Sequence, residues 1–315
     1  MNEQFKTDVE EGLSKTVKTI PSKYFYDKVG DALFVKIMHM PEYYLTRAEL
    51  EIFKDKSNEI IDNLQVEKDI YFQLIELGVG DGLKTKELLT ALLSRAYDFD
   101  YFPVDISQNA LNKLEKSLRI DLPTLGIEKR QGDYFEILAS LKKSNHPKII
   151  LFLGSNIGNM SDEIAAQFIY ELGANLKSND KLLLGVDLIK DKSIVLPAYN
   201  DKRGITAAFN LNLLNRINKE LGGNFDIEQF THQASYSKEE GIARSFLVSL
   251  KEQEVYLEAL QKTFEFKKGE KLATEISRKY DDKIIGRLIE NTGFKIDKKL
   301  TDNKDYFANY IFTRS

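Results

Sequence analysis

The stretch "IELGVGDGLKT", Ile75 to Thr85, places three glycines within five residues, between the apolar run "YFQLI" and the amphipathic run "KTKELLTALL". A β-rich run, a glycine turn and a helix-like run in that order predict a strand that hands over to a helix. The same alternation continues outward from Tyr71 to Leu188. "FDYFPVDIS" precedes "QNALNKLEKSL", "KIILFLGS" precedes "DEIAAQFIYELGANL", and "DKLLLGVDLI" follows. Strands separated by single helices imply βαβ units and a parallel sheet, because parallel neighbours need a crossover. The strands are almost continuously apolar, as strands covered on both faces must be. The expected fold is therefore a doubly wound α/β domain.

After Asp191 the rhythm changes. "AYNDKRGITAAFNLNLLNRINKELGG" reads as a loop and a long helix closed by Gly222. "ARSFLVSLKEQEVYL" and "KTFEFKKGEKLATEIS" alternate like paired antiparallel strands, which predicts an inserted second domain. In the tail, "DDKIIGRLIENTGF" is an amphipathic helix ending at Gly293, and "YFANYIFTRS" is an alternating strand expected to rejoin the first sheet.

In a doubly wound sheet, ligands bind beyond the carboxyl ends of the strands, first of all at the opening strand-to-helix turn. Gly78, Gly80 and Gly82 let the backbone approach a ligand, but their G-x-G-x-G spacing is not the dinucleotide fingerprint. Asp105 in "FPVDIS" ends the next strand, about 20 residues on, where an acid takes ribose hydroxyls. Asp133 and Tyr134 in "QGDYF" suit an adenine amino group and ring face. Each aspartate alone would read as a helix cap; with the glycine turn, the three strand ends together read as a nucleoside site. Glu76 just before the turn favours a cationic sulfonium over phosphates, and Lys84 just after it can meet a carboxylate. The donor expected is S-adenosylmethionine, and the reaction methyl transfer.

Composition narrows the alternatives. The chain has 315 residues, 42% of them hydrophobic, enough for one large core or two medium ones. Its 49 acidic and 45 basic side chains are scattered, with a net charge of −4, so nucleic acid is not an expected partner. Cysteine is absent, which excludes thiolate chemistry and Cys-ligated zinc. His39, His146 and His232 lie far apart without ligand spacing, so no metal site is expected. No apolar run approaches the roughly 18 to 20 residues of a membrane helix, and the polar N-terminus "MNEQFKTDVEEG" has no signal core. These features lead to the expectation of a cytoplasmic protein with no membrane partner; a monomer is compatible with them.

The chain also resembles the histidine-specific, S-adenosylmethionine-dependent N-methyltransferases of ergothioneine biosynthesis, a family that includes dimethylallyltryptophan N-methyltransferases. The blocks that carry the likeness run over nearly the whole chain: "IPSKYFYDKVGDALFVKI", "PEYYLTRAE", "ELGVGDGLKTKELL", "VDIS", "LFLGSNIGNM", "LLLGVDLIKD", "AYNDKRGITAAFNLNLLNRINKEL" and "ATEIS". The resemblance implies a Rossmann-type class I methyltransferase domain with a mostly parallel sheet, plus an α+β substrate-binding domain. With the change of rhythm, it places the N-terminal segment of the substrate domain at 1–62, the methyltransferase domain at 63–192, the inserted part at 193–283 and the return at 284–315. It gives cofactor-site roles to Gly78, Lys84, Asp105, Asp133, Tyr134 and also Gly154.

For the amino-acid substrate, the resemblance implies that Tyr43 and Tyr199 bind the carboxylate and Asn159 the α-amino group. It places Tyr26 and Phe34 near the transferring methyl, where aromatic faces tolerate a growing quaternary ammonium. Glu275 and Ser277 in "ATEIS" would hold the imidazole; a carboxylate accepts one ring N–H and a hydroxyl serves the other nitrogen. A methionine that packs near the ring in the histidine enzymes falls on Arg244, which would set a cation beside the imidazole. That substitution leaves methylation of another amino acid or small amine as an alternative. Two readings from other classes are a non-catalytic S-adenosylmethionine-binding protein and an NAD(P)-dependent oxidoreductase, the latter disfavoured by the glycine spacing.

Overall fold

In the computed structural model, which describes residues 3–141 and 143–315 with the side chains of Phe135, Leu138 and Leu141 set aside, the chain forms two compact units. The elements run, in order, α1 (Glu3–Ser14), α2 (Lys28–Met38), α3 (Leu45–Leu64), β1 (Phe72–Leu77), α4 (Leu83–Ser94), β2 (Phe99–Asp105) and α5 (Gln108–Asp121). Next come β3 (Gly126–Ile127), β4 (Arg130–Gln131), α6 (Tyr134–Leu141), β5 (Lys148–Phe152), α7 (Asp162–Asn175), β6 (Lys181–Asp187), α8 (Lys192–Tyr199) and α9 (Ile205–Leu221). The last are β7 (Phe230–Ser237), β8 (Ile242–Ser249), β9 (Gln253–Leu257), β10 (Lys262–Phe266), β11 (Lys271–Arg278), α10 (Asp282–Leu288), β12 (Phe294–Thr301) and β13 (Phe307–Arg314).

One unit comprises Leu45–Ile189 and Lys279–Ser315. Its sheet has the order β12-β13-β6-β5-β1-β2-β3, with β4 also paired to β2. β1, β2, β5 and β6 are parallel, while β13 runs antiparallel between β6 and β12. Alternate residues of each strand feed opposite faces. Leu74, Tyr101 and Leu151 pack under α3, α4 and α5, whereas Ile75, Phe102 and Ile150 pack under α7 and α10. Two buried faces per strand are why these strands lack polar alternation. Helix starts carry side-chain caps: Ser107 Oγ accepts from Ala110 N at 3.2 Å and Ser161 Oγ from Ile164 N at 3.3 Å.

The other unit comprises Met1–Tyr44 and Lys190–Arg278. It holds an antiparallel sheet β11-β8-β7 and the hairpin β9-β10. Its core joins α1, α2 and α9 to these strands through Phe5, Ile37, Phe209, Leu213, Leu247, Phe266 and Leu272. α9 ends where Gly222 turns to φ +64°.

Several sequence expectations shift here. α3 packs with the parallel-sheet unit, so the N-terminal segment divides at Tyr44 instead of continuing to 62. α10 stops at Leu288 rather than Gly293, and the residues from Phe294 form β12. The strand β7 and the helix α8 were not read from the sequence. "YFANYIFTRS" does rejoin the first sheet, as β13.

Candidate active site

The glycine turn lies between β1 and α4, at the carboxyl end of the central parallel strands. Gly78 N donates to the Val104 carbonyl at 2.8 Å, and Gly78, Gly80 and Gly82 have φ of +79°, +55° and +71°. At Gly78 a Cβ would lie 2.4 Å from the Tyr134 hydroxyl and 2.8 Å from Asn156 Nδ2. Any side chain there would fill the space in front of Tyr134. Asp105 at the end of β2 accepts from Val79 N at 3.2 Å and Ser107 N at 2.8 Å. Burial raises its pKa, opposed by these backbone bonds. A carboxylate has about four acceptor sites, and with the backbone of Ile106 also bonded to it, acceptor capacity remains for a ribose hydroxyl. Asp133 is exposed at the start of α6, and burial together with Asp105 and Asp133 raises the pKa of the neighbouring Tyr134 phenol. Gly154 follows β5 with φ +72°, and a Cβ on it would stand 3.4 Å from Lys84 Nζ. Gly78, Lys84, Asp105, Tyr134 and Gly154 thus stand around one turn, and their chemistry, an acid for hydroxyls, a ring and a cation for a carboxylate, fits the expected donor.

Glu76 is placed otherwise. Its carboxylate is 1% exposed in the core between the sheet and α4, where Thr85 Oγ1 donates to it at 2.7 Å and the Tyr101 hydroxyl donates to its other oxygen. Burial raises its pKa to about 7 against those two bonds. The expectation that Glu76 faces the donor is corrected: on β1 it has the parity of Phe72 and Leu74, which face the helical layer of α3 to α5. Asn159, at the end of the 3-10 turn Asn156–Asn159 after β5, is exposed.

In the other unit, β11 presents Glu275 and Ser277 on one face, opposite Ser245 and Ala243 of β8. The Ser245 hydroxyl donates to Glu275 Oε2 at 3.2 Å, and Ser245 is 0% exposed. Tyr199, at the end of α8, donates its hydroxyl proton to Ser277 Oγ at 2.8 Å. Tyr26, Phe34 and Tyr43 form a chain of edge-on rings, with centroids 5.5 Å apart for Tyr26 and Phe34 and 6.2 Å for Phe34 and Tyr43. Phe209 of α9 closes the group, 5.8 Å from Tyr26 and 5.9 Å from Phe34.

Arg244 does not join this cluster. It pairs across the strands with Ile276 and Ser235, one residue out of phase with Ser245, and its guanidinium forms an ion pair with Glu240. The side chain next to the glutamate is a small hydroxyl, not a cation. A bulge between Ala273 and Glu275 sets this parity.

The sequence reading missed Phe209, Ser245 and Asn156. Phe209 lies on the apolar stripe of α9 and reads as core; Ser245 would have emerged from the alternation of β8 had its partner register been known.

A doubly wound, mostly parallel sheet with one antiparallel strand, β13, inserted next to its edge and a glycine turn after β1 defines this chain as a Rossmann-type α/β protein of the methyltransferase class. The family model described as "Histidine-specific methyltransferase, SAM-dependent" matches residues 5–314. The chain belongs to that family, and S-adenosylmethionine is its methyl donor. It is 35% identical over 303 residues to the histidine N-alpha-methyltransferase of Mycobacterium tuberculosis, covering 96% of this chain and 92% of that one. Against the histidine N-alpha-methyltransferase of Mycolicibacterium smegmatis it is 35% identical, covering 91% and 88%. It is 30% identical to ergothioneine biosynthesis protein 1 of Schizosaccharomyces pombe, covering 94% of this chain and 39% of that larger protein. Among the described residues, no helix is long and apolar enough to cross a membrane.

Proposed function

We propose that this protein transfers methyl groups from S-adenosylmethionine to the α-amino nitrogen of L-histidine and continues to the trimethylated betaine. The observation that carries the choice of acceptor is the pairing of Glu275 and Ser277 on one face of β11, with Ser245 on the carboxylate and Tyr199 on the serine. A carboxylate beside a hydroxyl can accept one imidazole N–H and serve the other ring nitrogen, a pattern aliphatic side chains cannot use. The placement of Arg244 with Glu240 removes the objection that a cation stands by the ring.

In this reading Tyr43 and Tyr199 donate to the substrate carboxylate, Tyr199 turning its single O–H from Ser277 to the substrate, and the Asn159 amide orients the amine without competing as a nucleophile. Tyr26, Phe34 and Phe209 offer ring faces to successive methylammonium products. The donor supplies a methyl group already activated on a sulfonium. The free amine forms the new N–C bond as the S–C bond breaks, S-adenosylhomocysteine leaves, and the amine proton passes to solvent before the next cycle. Catalysis is then chiefly positioning and exclusion of water. A cytoplasmic location and a role in ergothioneine biosynthesis accompany this assignment. Incubation with S-adenosylmethionine and each amino acid in turn, followed by mass spectrometry, tests it. Addition of three methyl groups to histidine is expected, and a methylated product from another amino acid alone would overturn it.

A further inference from the structure

Lys84, the candidate partner of the donor's carboxylate, is held by another charged residue. The Glu49 side chain of α3 is 0% exposed and forms an ion pair with Lys84 Nζ. The same carboxylate accepts from Gly154 N, at 2.9 Å to Oε2, and from Asn309 Nδ2 of β13, at 3.1 Å to Oε1. Position 185 in the middle of β6 is glycine, and a Cβ there would stand 2.1 Å from Glu49 Oε1. A carboxylate tucked against a central strand and bonded from a helix, a loop and a strand has one position.

A buried carboxylate with this many donors is a costly device, and an apolar contact between α3 and the sheet would hold the helix at lower cost. Its effect is on the lysine. Lys84 carries a flexible four-carbon stem, whose ammonium could point to several places. Glu49 takes one of its three N–H donors and fixes the rest beside Gly154, where the chain has left out a Cβ. We propose that Glu49 is a positioning residue for the methyl donor, which holds Lys84 beside the Gly154 turn and aims it at the donor's carboxylate. This rests on the reading of Lys84 as that carboxylate's partner.

The experiment is calorimetric binding of S-adenosylhomocysteine and of its decarboxylated analogue to the full-length protein. Glu49→Gln keeps the shape but puts an amide N–H against Gly154 N or Lys84. It is expected to weaken S-adenosylhomocysteine by about tenfold, the loss of one charge-assisted bond, while the decarboxylated analogue changes less than about twofold. In a Lys84→Met background the Glu49 substitution is expected to add no further loss of affinity. Equal weakening of both ligands, or a loss that persists without Lys84, would show a general structural role and overturn the inference. If Lys84→Met alone leaves the affinity for S-adenosylhomocysteine unchanged, the reading of Lys84 fails instead. If Glu49→Gln does not fold, Asn309→Ala removes one bond from the same carboxylate. A smaller loss with the same selectivity for the carboxylate supports the proposal, and no selectivity overturns it.

Discussion

Tyr199 and Ser277 are joined by a hydrogen bond of 2.8 Å, from the phenol of one to the hydroxyl of the other, and both are buried. The tyrosine proposed for the substrate carboxylate and the serine proposed for its imidazole are therefore coupled. Tyr199→Phe is expected to raise the KM for histidine about tenfold, the value of one or two buried hydrogen bonds. The donor KM should stay unchanged. Because the residues share a bond, Ser277→Ala in the Tyr199→Phe background should cost less than it does alone. Initial-rate kinetics over a histidine series will show it, and strictly additive losses would count against the coupling.

Glu275 and Arg244 make a contrasting pair. Glu275→Ala removes an acceptor facing Ser245 and is expected to raise the histidine KM by on the order of 10- to 100-fold, with little change in donor KM. Arg244→Ala breaks a surface ion pair with Glu240 and is expected to change the histidine KM by less than about twofold. A large effect at Arg244 would mean that the register of β8 and β11 is not the one described.

The glycines of the turn differ in what they tolerate. At Gly78 an alanine would meet the Tyr134 hydroxyl at 2.4 Å, while at Gly80 nothing lies within 4 Å. Both positions have positive φ, a cost of about 1–2 kcal/mol for alanine. Gly80→Ala should show that cost alone in a urea melt. Gly78→Ala should in addition weaken S-adenosylhomocysteine binding, measured by calorimetry, because Tyr134 must move.

Glu76 sets a pH dependence of stability. Its pKa in the folded protein is raised by burial to about 7, against an ordinary value of 4.5. Native protein thus keeps the proton that the unfolded chain releases across that window. The contribution of this group is fully present below about pH 4.5, is lost as pH rises toward 7, and amounts to on the order of 3 kcal/mol. Glu76→Gln is expected to flatten this part of the profile. Urea midpoints of both proteins from pH 5 to 8 give the comparison, and parallel profiles would remove Glu76 as the cause.

How far the site was legible depended on the range of the contacts. Asp105 and the glycines carry their meaning locally, through strand-to-helix spacing, and the structure puts them at one turn. Glu76 is local too, yet its neighbours in sequence misled: a carboxylate just before a turn reads as lining it. The parity of β1 buries it with Thr85 and Tyr101 instead.

The sequence by itself determined the alternation of doubly covered strands and helices, the glycine turn and the resemblance that names donor and acceptor. These follow from periods of 2 and 3.6 residues and from contiguous blocks, which need no knowledge of contacts far along the chain. Only the tertiary structure decided that Ser245 and not Arg244 meets Glu275, that Tyr199 bonds Ser277, and that Glu49 holds Lys84. Each depends on strand register, a bulge or a packing angle. A shift of one residue there exchanges the faces of a strand, and nothing in local composition records it.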